Sequence, residues 1–268
     1  MKHLQNTSLS FQFCQESNIS GIKAKIIHLN LLKKSINFEL TIIQIGEGAS
    51  YTVPVYEGYS LPHAMLRFNV AGRSLTDFLV KLLEESGSDC SSPVGRDTAN
   101  DIKETLCYVS QNYEEELATS EQNTELAKSY QLPDGKIIDI REPRLKCPEA
   151  LFKPELLESD SVGIHEMLNS SIIKCDVDLP RLSVLYQNIV LSGGSTLFTG
   201  LEDRLAGELR ALAPPREEVR VVVPETGSKF AVWVGGSVLS SLSTFKEMWV
   251  TRLEYLEQGP EVVHCKCF

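Results

Sequence analysis

Residues 188–212 read NIVLSGGSTLFTGLEDRLAGELRAL, and this stretch decides the fold. Ile189, Val190 and Leu191 form an apolar run of the kind that makes a buried strand. The run stops at Ser192-Gly193-Gly194 and gives way to leucines at 201, 205, 209 and 212, a helical spacing that Pro214-Pro215 ends. Two adjacent glycines between a buried strand and a helix let a backbone approach a ligand closely, with amides free to donate. The spacing by itself does not identify the ligand.

Working outward, Ile36, Phe38, Leu40 and Ile42 alternate with Asn37, Glu39 and Thr41, which predicts a half-buried strand. Gly46-Glu47-Gly48 turns the chain and Tyr51-Thr52-Val53 returns it, a hairpin. Leu66, Phe68 and Val70 alternate again. Ser74 with Asp77 reads as a capping box opening a helix whose apolar face is Leu75, Phe78, Leu79, Leu82 and Leu83. Residues 84–98 are rich in Ser, Gly and Asp and read as a surface loop. Ile102, Leu106, Val109 and Tyr113 make one helical stripe, with Glu114 to Glu116 as its solvated end. Pro133-Asp134-Gly135 is a tight turn between short strands, and Pro148 is placed to open a short helix. Val219 and Val221 to Val223 read as a buried strand. Thr244 with Glu247 is a second capping box, starting a helix that carries Met248 and Trp249. Strands interleaved with helices give an α/β chain.

Composition excludes several functions. A net charge of −10 over 268 residues argues against binding a nucleic-acid backbone, which needs clustered Lys and Arg. No window approaches the ~18 consecutive apolar residues of a membrane span. Lys2 and His3 lead into no apolar region, so the N-terminus does not read as a secretory signal. The expected location is the cytoplasm and its cytoskeleton, with the nucleus as the other compartment. Seven irregularly spaced cysteines then read as reduced thiols. His264, Cys265 and Cys267 lack the second pair of ligands that zinc requires, so no metal site is expected.

The blocks TVPVYEGYSLPHAMLRFNVAGRSLTDFL, DIKETLCYV, LPDGKI, CPEALFKP, GIHE, KCDVD, LSGGSTLFTGLEDR and WVGGSVLSSLSTF, with a tail ending HCKCF, resemble the actin family in order and spacing. The resemblance covers residues 41–268, and residues 1–40 resemble nothing in the family. It implies an incomplete actin-like ATPase fold of the ribonuclease H-like type. Residues 41–70 and 162–230 resemble subdomain 3, residues 71–161 subdomain 4, and residues 231–268 the C-terminal helices of subdomain 1. The N-terminal part of subdomain 1 and all of subdomain 2 have no counterpart.

In that family ATP lies between two halves, its phosphates held by two glycine hairpins. The second hairpin has the form DSGDG and here reads Gln44-Ile45-Gly46-Glu47-Gly48. Gln44 replaces a carboxylate that would organise the water shell of Mg²⁺, a hard cation that prefers charged oxygen. The histidine that helps position the attacking water falls at Tyr51, and a phenol is a poor base near neutral pH. The water-orienting glutamine belongs to the part without a counterpart. Phosphoryl transfer is almost wholly positioning and electrostatics, so the resemblance with these departures implies a pseudo-ATPase, not an enzyme.

The adenosine side keeps more, so residual ATP or ADP binding stays open. Gly46, Gly48, Gly72, Lys103, Glu104, Gly193, Gly194 and Lys229 match family positions around the nucleotide. Asn100 replaces an Arg of that pocket, and Leu197 and Phe198 replace a Met and a Tyr, a pair still able to sandwich a purine. The bland alternative is that the glycines persist because strand-to-helix turns need them.

The resemblance also implies a surface. Leu239, Leu242, Thr244, Phe245, Met248 and Trp249 lie on the segment that lines a partner groove in actin, and their usual neighbours are absent here. The implied function is a non-catalytic cytoskeletal or scaffold protein that binds cytoskeletal or actin-binding proteins and does not form a homopolymer. A nuclear actin-related subunit of a chromatin-remodelling complex and an incomplete, non-functional product are the alternatives. His63 and His165 read as structural histidines. The segment ELLESDSVG, residues 155–163, is less apolar than the filament plug it replaces.

Overall fold

The computed structural model describes residues 39–57, 59–87, 93–120, 127–175, 179–215, 217–224 and 228–266. The chain divides into two compact units, one spanning Glu39–Lys229 and one taking in the chain from Phe230 onward.

The larger unit is built on a mixed sheet. Strands β1 (Leu40–Ile45) and β2 (Ser50–Tyr56) form the expected hairpin, with β3 (Tyr59–Ser60) and β4 (Leu66–Phe68) both antiparallel to β2. On its other side β1 runs parallel to β7 (Ile189–Ser192), and β7 runs parallel to β8 (Val221–Val222). The order is therefore β3-β2-β1-β7-β8. Successive side chains of β1 point to opposite faces of the sheet, and five of its six residues are buried, so both faces are covered. The half-buried alternation expected here is corrected accordingly. Residues 36–38 of that expectation lie outside the described residues.

Helices α1 (Gly72–Glu85), α2 (Pro93–Leu106) and α3 (Tyr113–Ser120) follow, then a separate hairpin of β5 (Lys128–Gln131) and β6 (Ile137–Ile140). Helices α4 (Glu142–Glu149), α5 (Ile164–Ile173) and α6 (Leu179–Gln187) lead into β7, and α7 (Leu201–Leu212) joins β7 to β8. One core holds the unit together, from Ile43, Ile45 and Leu191 in the sheet to Leu75, Ile102, Leu168 and Leu205 on helices. The β5–β6 turn and the leucine face of α7 stand where the sequence puts them.

Several local expectations are corrected. The helix expected at Ser74 starts at Gly72, and Ser74 sits in its first turn, where its Oγ accepts the Ala71 N–H at 3.2 Å. Much of the expected 84–98 loop is helical, because α1 runs to Glu85 and α2 starts at Pro93, a residue preset for a first turn. The single stripe from Ile102 to Tyr113 breaks after Leu106. There Tyr108 bridges Thr199 and the Val109 N–H bonds the Thr199 carbonyl at 2.9 Å, contacts that require extended backbone. Pro148 lies near the end of α4, and Pro143 holds the first-turn position instead. The valine strand is short, with only Val221 and Val222 paired.

In the second unit α8 (Ala231–Ser241) is followed by a 3-10 helix over Ser243–Met248, then α9 (Arg252–Gln258) and α10 (Val262–Lys266). The capping box expected at Thr244 and Glu247 forms instead about two turns later. Thr251 and Glu254 cap α9 reciprocally, the Thr251 N–H donating to Glu254 Oε2 at 2.8 Å. No helix among the described residues is long and apolar enough to cross a membrane.

Candidate functional site

The parallel strands β1 and β7 end side by side, and sites in α/β sheets gather beyond such carboxyl ends. Gly193 follows β7 with φ of +100°, and a Cβ there would stand 2.2 Å from the Ile45 carbonyl oxygen. Only glycine fits both the conformation and the contact. The turn after β1 is drawn onto the start of α1, whose Gly72 and Arg73 N–H groups donate to the carbonyls of Gly46 and Glu47 at 2.9 and 2.8 Å. A Cβ at Gly72 would meet Glu47 Oε2 at 2.6 Å and Ser195 Oγ at 3.0 Å. The β1–β2 turn, the start of α1 and the turn after β7 are thus packed backbone to backbone.

Polar side chains close the cluster. Lys103 on α2 is 3% exposed, and its Nζ donates to the Gly72 carbonyl at 3.1 Å, Thr76 Oγ1 at 2.8 Å and Asn100 Oδ1 at 2.8 Å. Its three bonds are spent on neutral oxygens inside the fold. Asn100 Nδ2 donates to Glu104 at 3.3 Å, and the other Glu104 oxygen pairs with Lys229 Nζ at 3.2 Å. The Lys229 stem in turn lies beside Gly194. The structure therefore brings together Gly46, Gly72, Lys103, Glu104, Gly193, Gly194 and Lys229, with Gly48 in the same turn as Gly46.

The sheet register sets what faces this cluster. Gln44 on β1 stands opposite Tyr51 on β2 and Ser192 on β7. Residues in register across neighbouring strands share a face, so amide, phenol and hydroxyl form one row. The Ser192 hydroxyl is buried and has no hydrogen-bond partner. The Glu47 carboxylate, lying over Gly72, already brings negative charge to the positive end of α1.

These groups can be tested against the magnesium nucleotide that the resemblance implies. A hard divalent cation calls for charged oxygens, and the row offers neutral ones. No group of three or more His, Cys, Asp or Glu suited to a metal occurs among the described residues. A phosphate at the start of α1 would meet the Glu47 carboxylate, while Lys229 and Lys103 are already engaged. The residues present do not fit a magnesium–triphosphate group. The apolar purine sandwich is also altered, because Phe198 is 8% exposed and belongs to the core while Leu197 is 53% exposed.

The surface predicted on the C-terminal segment is partly open. Leu242 is 43% and Trp249 48% exposed, Thr244 is exposed, and Phe245 is half-buried with its ring edge-on to Trp249 at 6.1 Å. The side chains of Leu239 and Met248 lie outside the described set. Residues not singled out from the sequence are more open still: Trp233, Leu253 and Leu256 are 74%, 71% and 68% exposed. The three-residue spacing of Leu253 and Leu256 in RLEYLEQ was the available signal.

Sequence reasoning also missed a buried ion pair. Arg204 on α7 donates to both Glu149 oxygens at 3.1 and 3.0 Å, to the Ser110 carbonyl at 2.7 Å and to Glu208 at 2.7 Å, with its guanidinium over the Phe152 ring. Burial pushes the Glu149 carboxyl up, against the pull of Arg204. His165 packs on Phe152 at 5.7 Å between ring centres, but its buried Nδ1 has no hydrogen-bond partner, so the ring is held by packing without the satisfied polar contacts of a structural histidine.

The protein-family model described as Actin matches residues 29–268 of this chain. The match begins upstream of residue 41, so part of the segment assigned no family likeness falls inside it.

Proposed function

Because the chain belongs to the actin family, with its α/β ATPase-type fold, we propose that it acts as a non-catalytic cytoskeletal or scaffold protein, working through protein–protein contacts. The observation that carries this reading is the row Gln44, Tyr51 and Ser192 at the ends of β1, β2 and β7. Hydrolysis by positioning and electrostatics needs charge beside the phosphates, and this row supplies dipoles. The exposed aromatic and leucine side chains from Trp233 to Leu256 support the second half of the reading, since an exposed apolar surface is where partners bind.

The test is phosphate release from Mg-ATP by the purified chain. The unaltered protein is expected to show no turnover above a protein-free blank. The paired change Gln44→Asp and Tyr51→His is expected to raise magnesium-dependent nucleotide binding, read by calorimetry. Turnover by the unaltered chain that EDTA abolishes would overturn the proposal. For the partner, Leu253→Ser with Leu256→Ser is expected to lose capture of cytoskeletal proteins while leaving the melting of the larger unit unchanged.

A further inference from the structure

Helix α9 is capped at Thr251 yet buries none of its residues, and Leu253 and Leu256 stand 71% and 68% exposed. The two leucines are three residues apart and Glu257 is four from Leu253, so they share one side of the helix with that carboxylate. Glu261, also exposed, follows one turn further on. The face is apolar with an acidic margin, and an occupant that complements it brings apolar side chains and cations together. The chain holds that chemistry outside the described residues. Residues 23–34 read KAKIIHLNLLKK, in which five of the seven residues from Ile26 to Leu32 are apolar and Lys23, Lys25, Lys33 and Lys34 flank them. Between Glu16 and Glu39 there is no acidic residue, although the net charge of the whole chain is −10.

We propose that residues 26–34 dock on this face of α9 in the same molecule. The apolar run covers Leu253 and Leu256, and Lys33 and Lys34 lie against Glu257 and Glu261. Reach does not restrict the contact, because the stretch that precedes Glu39 spans about 130 Å when extended. The tether also favours docking within one molecule over docking on a second copy. A flexibly linked segment has an effective concentration of about 1 mM, well above a micromolar supply of another chain. A short helix with a bare apolar face is marginal, and the docked segment supplies the cover that α9 lacks. The same face belongs to the apolar surface assigned above to a partner. On that partner reading, residues 26–34 and the partner exclude each other, so the chain keeps its own binding surface closed until a tighter ligand displaces the segment.

The test is carbodiimide coupling of the full chain at low salt, which joins a lysine to a carboxylate where the two are in contact. The monomer band is then digested for mass spectrometry, with the Lys229–Glu104 pair at 3.2 Å as internal standard. A link from Lys33 or Lys34 to Glu257 or Glu261 is expected, and it should fade as salt rises. Hydrogen exchange gives a second readout that leaves α9 itself unaltered. Ile27→Ser with Leu29→Ser is expected to speed exchange of the α9 amides by about threefold, with the circular dichroism melt of the larger unit unchanged. Formation of the standard link without any from Lys33 or Lys34 overturns the proposal. So does a Lys33 or Lys34 link found only in a dimer band, which makes a second copy the occupant. Exchange of α9 that is the same in variant and parent, or that rises equally in both units, also overturns it. Neither readout contains a partner protein, so failure here leaves the partner reading standing, and failure to capture a partner leaves this docking standing.

Discussion

The two units of this chain spend similar apolar sequence in opposite ways. In Glu39–Lys229 the leucines of α1 and α7 face a shared core, with Leu75, Leu79, Leu205 and Leu209 all at 0% exposure. In the unit that begins at Phe230, α9 buries none of its residues, and Leu253 and Leu256 stand open at 71% and 68%. Helix propensity and capping are as sound in α9, which has a reciprocal Thr251–Glu254 cap, as in α1. What differs is the supply of partner surface. A capped helix with an uncovered apolar face stays marginal until something covers it.

The sharpest way to break that contrast is at Arg204. Arg204→Ala leaves Glu149 buried without its cation, and a loss of about 3–5 kcal/mol is expected. Leu253→Ala in the other unit is expected to move stability by less than about 0.5 kcal/mol, because it empties no packed space. Both tryptophans, Trp233 and Trp249, lie beyond Lys229. Tryptophan fluorescence therefore follows the second unit, while far-UV circular dichroism follows chiefly the first. In urea, Arg204→Ala should lower the circular dichroism midpoint, and an unchanged midpoint would show that the buried pair is not holding α4 to α7.

Gly193→Ala tests whether the turn after β7 is needed for folding itself. The φ of +100° alone costs a side chain about 1–3 kcal/mol. The contact with Ile45, at 2.2 Å from a Cβ, forces β1 and β7 apart as well. Circular dichroism melts should fall clearly, with the signal from Trp233 and Trp249 changing less. A variant as stable as the parent would remove the case that this glycine is structural.

These residues show what was legible and why. The α/β class, the β1–β2 hairpin and α7 were readable because their apolar periodicity and glycine turns are local signals. The cluster around Gly46, Gly72 and Gly193 was placed through family likeness, since spacing alone named no ligand. The engagement of Lys103, the seat of Glu47 over Gly72 and the Arg204–Glu149 pair were not readable, because each joins residues far apart in sequence. Ser74 has the right chemistry for a cap, but the Gly72 and Arg73 N–H bonds to the Gly46 and Glu47 carbonyls start α1 two residues earlier.

A smaller effect separates the units by pH. Burial lowers the pKa of His165 from its ordinary 6.5, with Arg204 adding to the shift and Glu208 and Glu166 opposing it. The unfolded chain then binds the proton more readily than the folded one. Stability is fully present above about pH 6.5 and is lost as pH falls through the lower folded value. His165→Gln should flatten that part of the profile in circular dichroism, whereas the fluorescence profile, which follows a unit without His165, should stay as it was. A wild-type curve that is flat between pH 7 and pH 5 would refute the assignment.

The smallest expected effect lies at the rim of the glycine cluster, where the larger unit is as open as the smaller one. Lys229 and Glu104 pair at 3.2 Å with about half of each side chain in water. Exposed pairs contribute about 0–1 kcal/mol, so Lys229→Met should leave the melting curve almost unmoved. The informative measurement is a double-mutant cycle with Glu104→Gln at low and high salt. Coupling that fades with salt identifies a screened surface pair, which leaves the cluster's stability to its backbone contacts. Coupling above about 1 kcal/mol that persists in salt would mean that the pair is held rigidly by Asn100 and Lys103. In that case the row of glycines owes its shape to charge at its rim as well as to the turns beneath it.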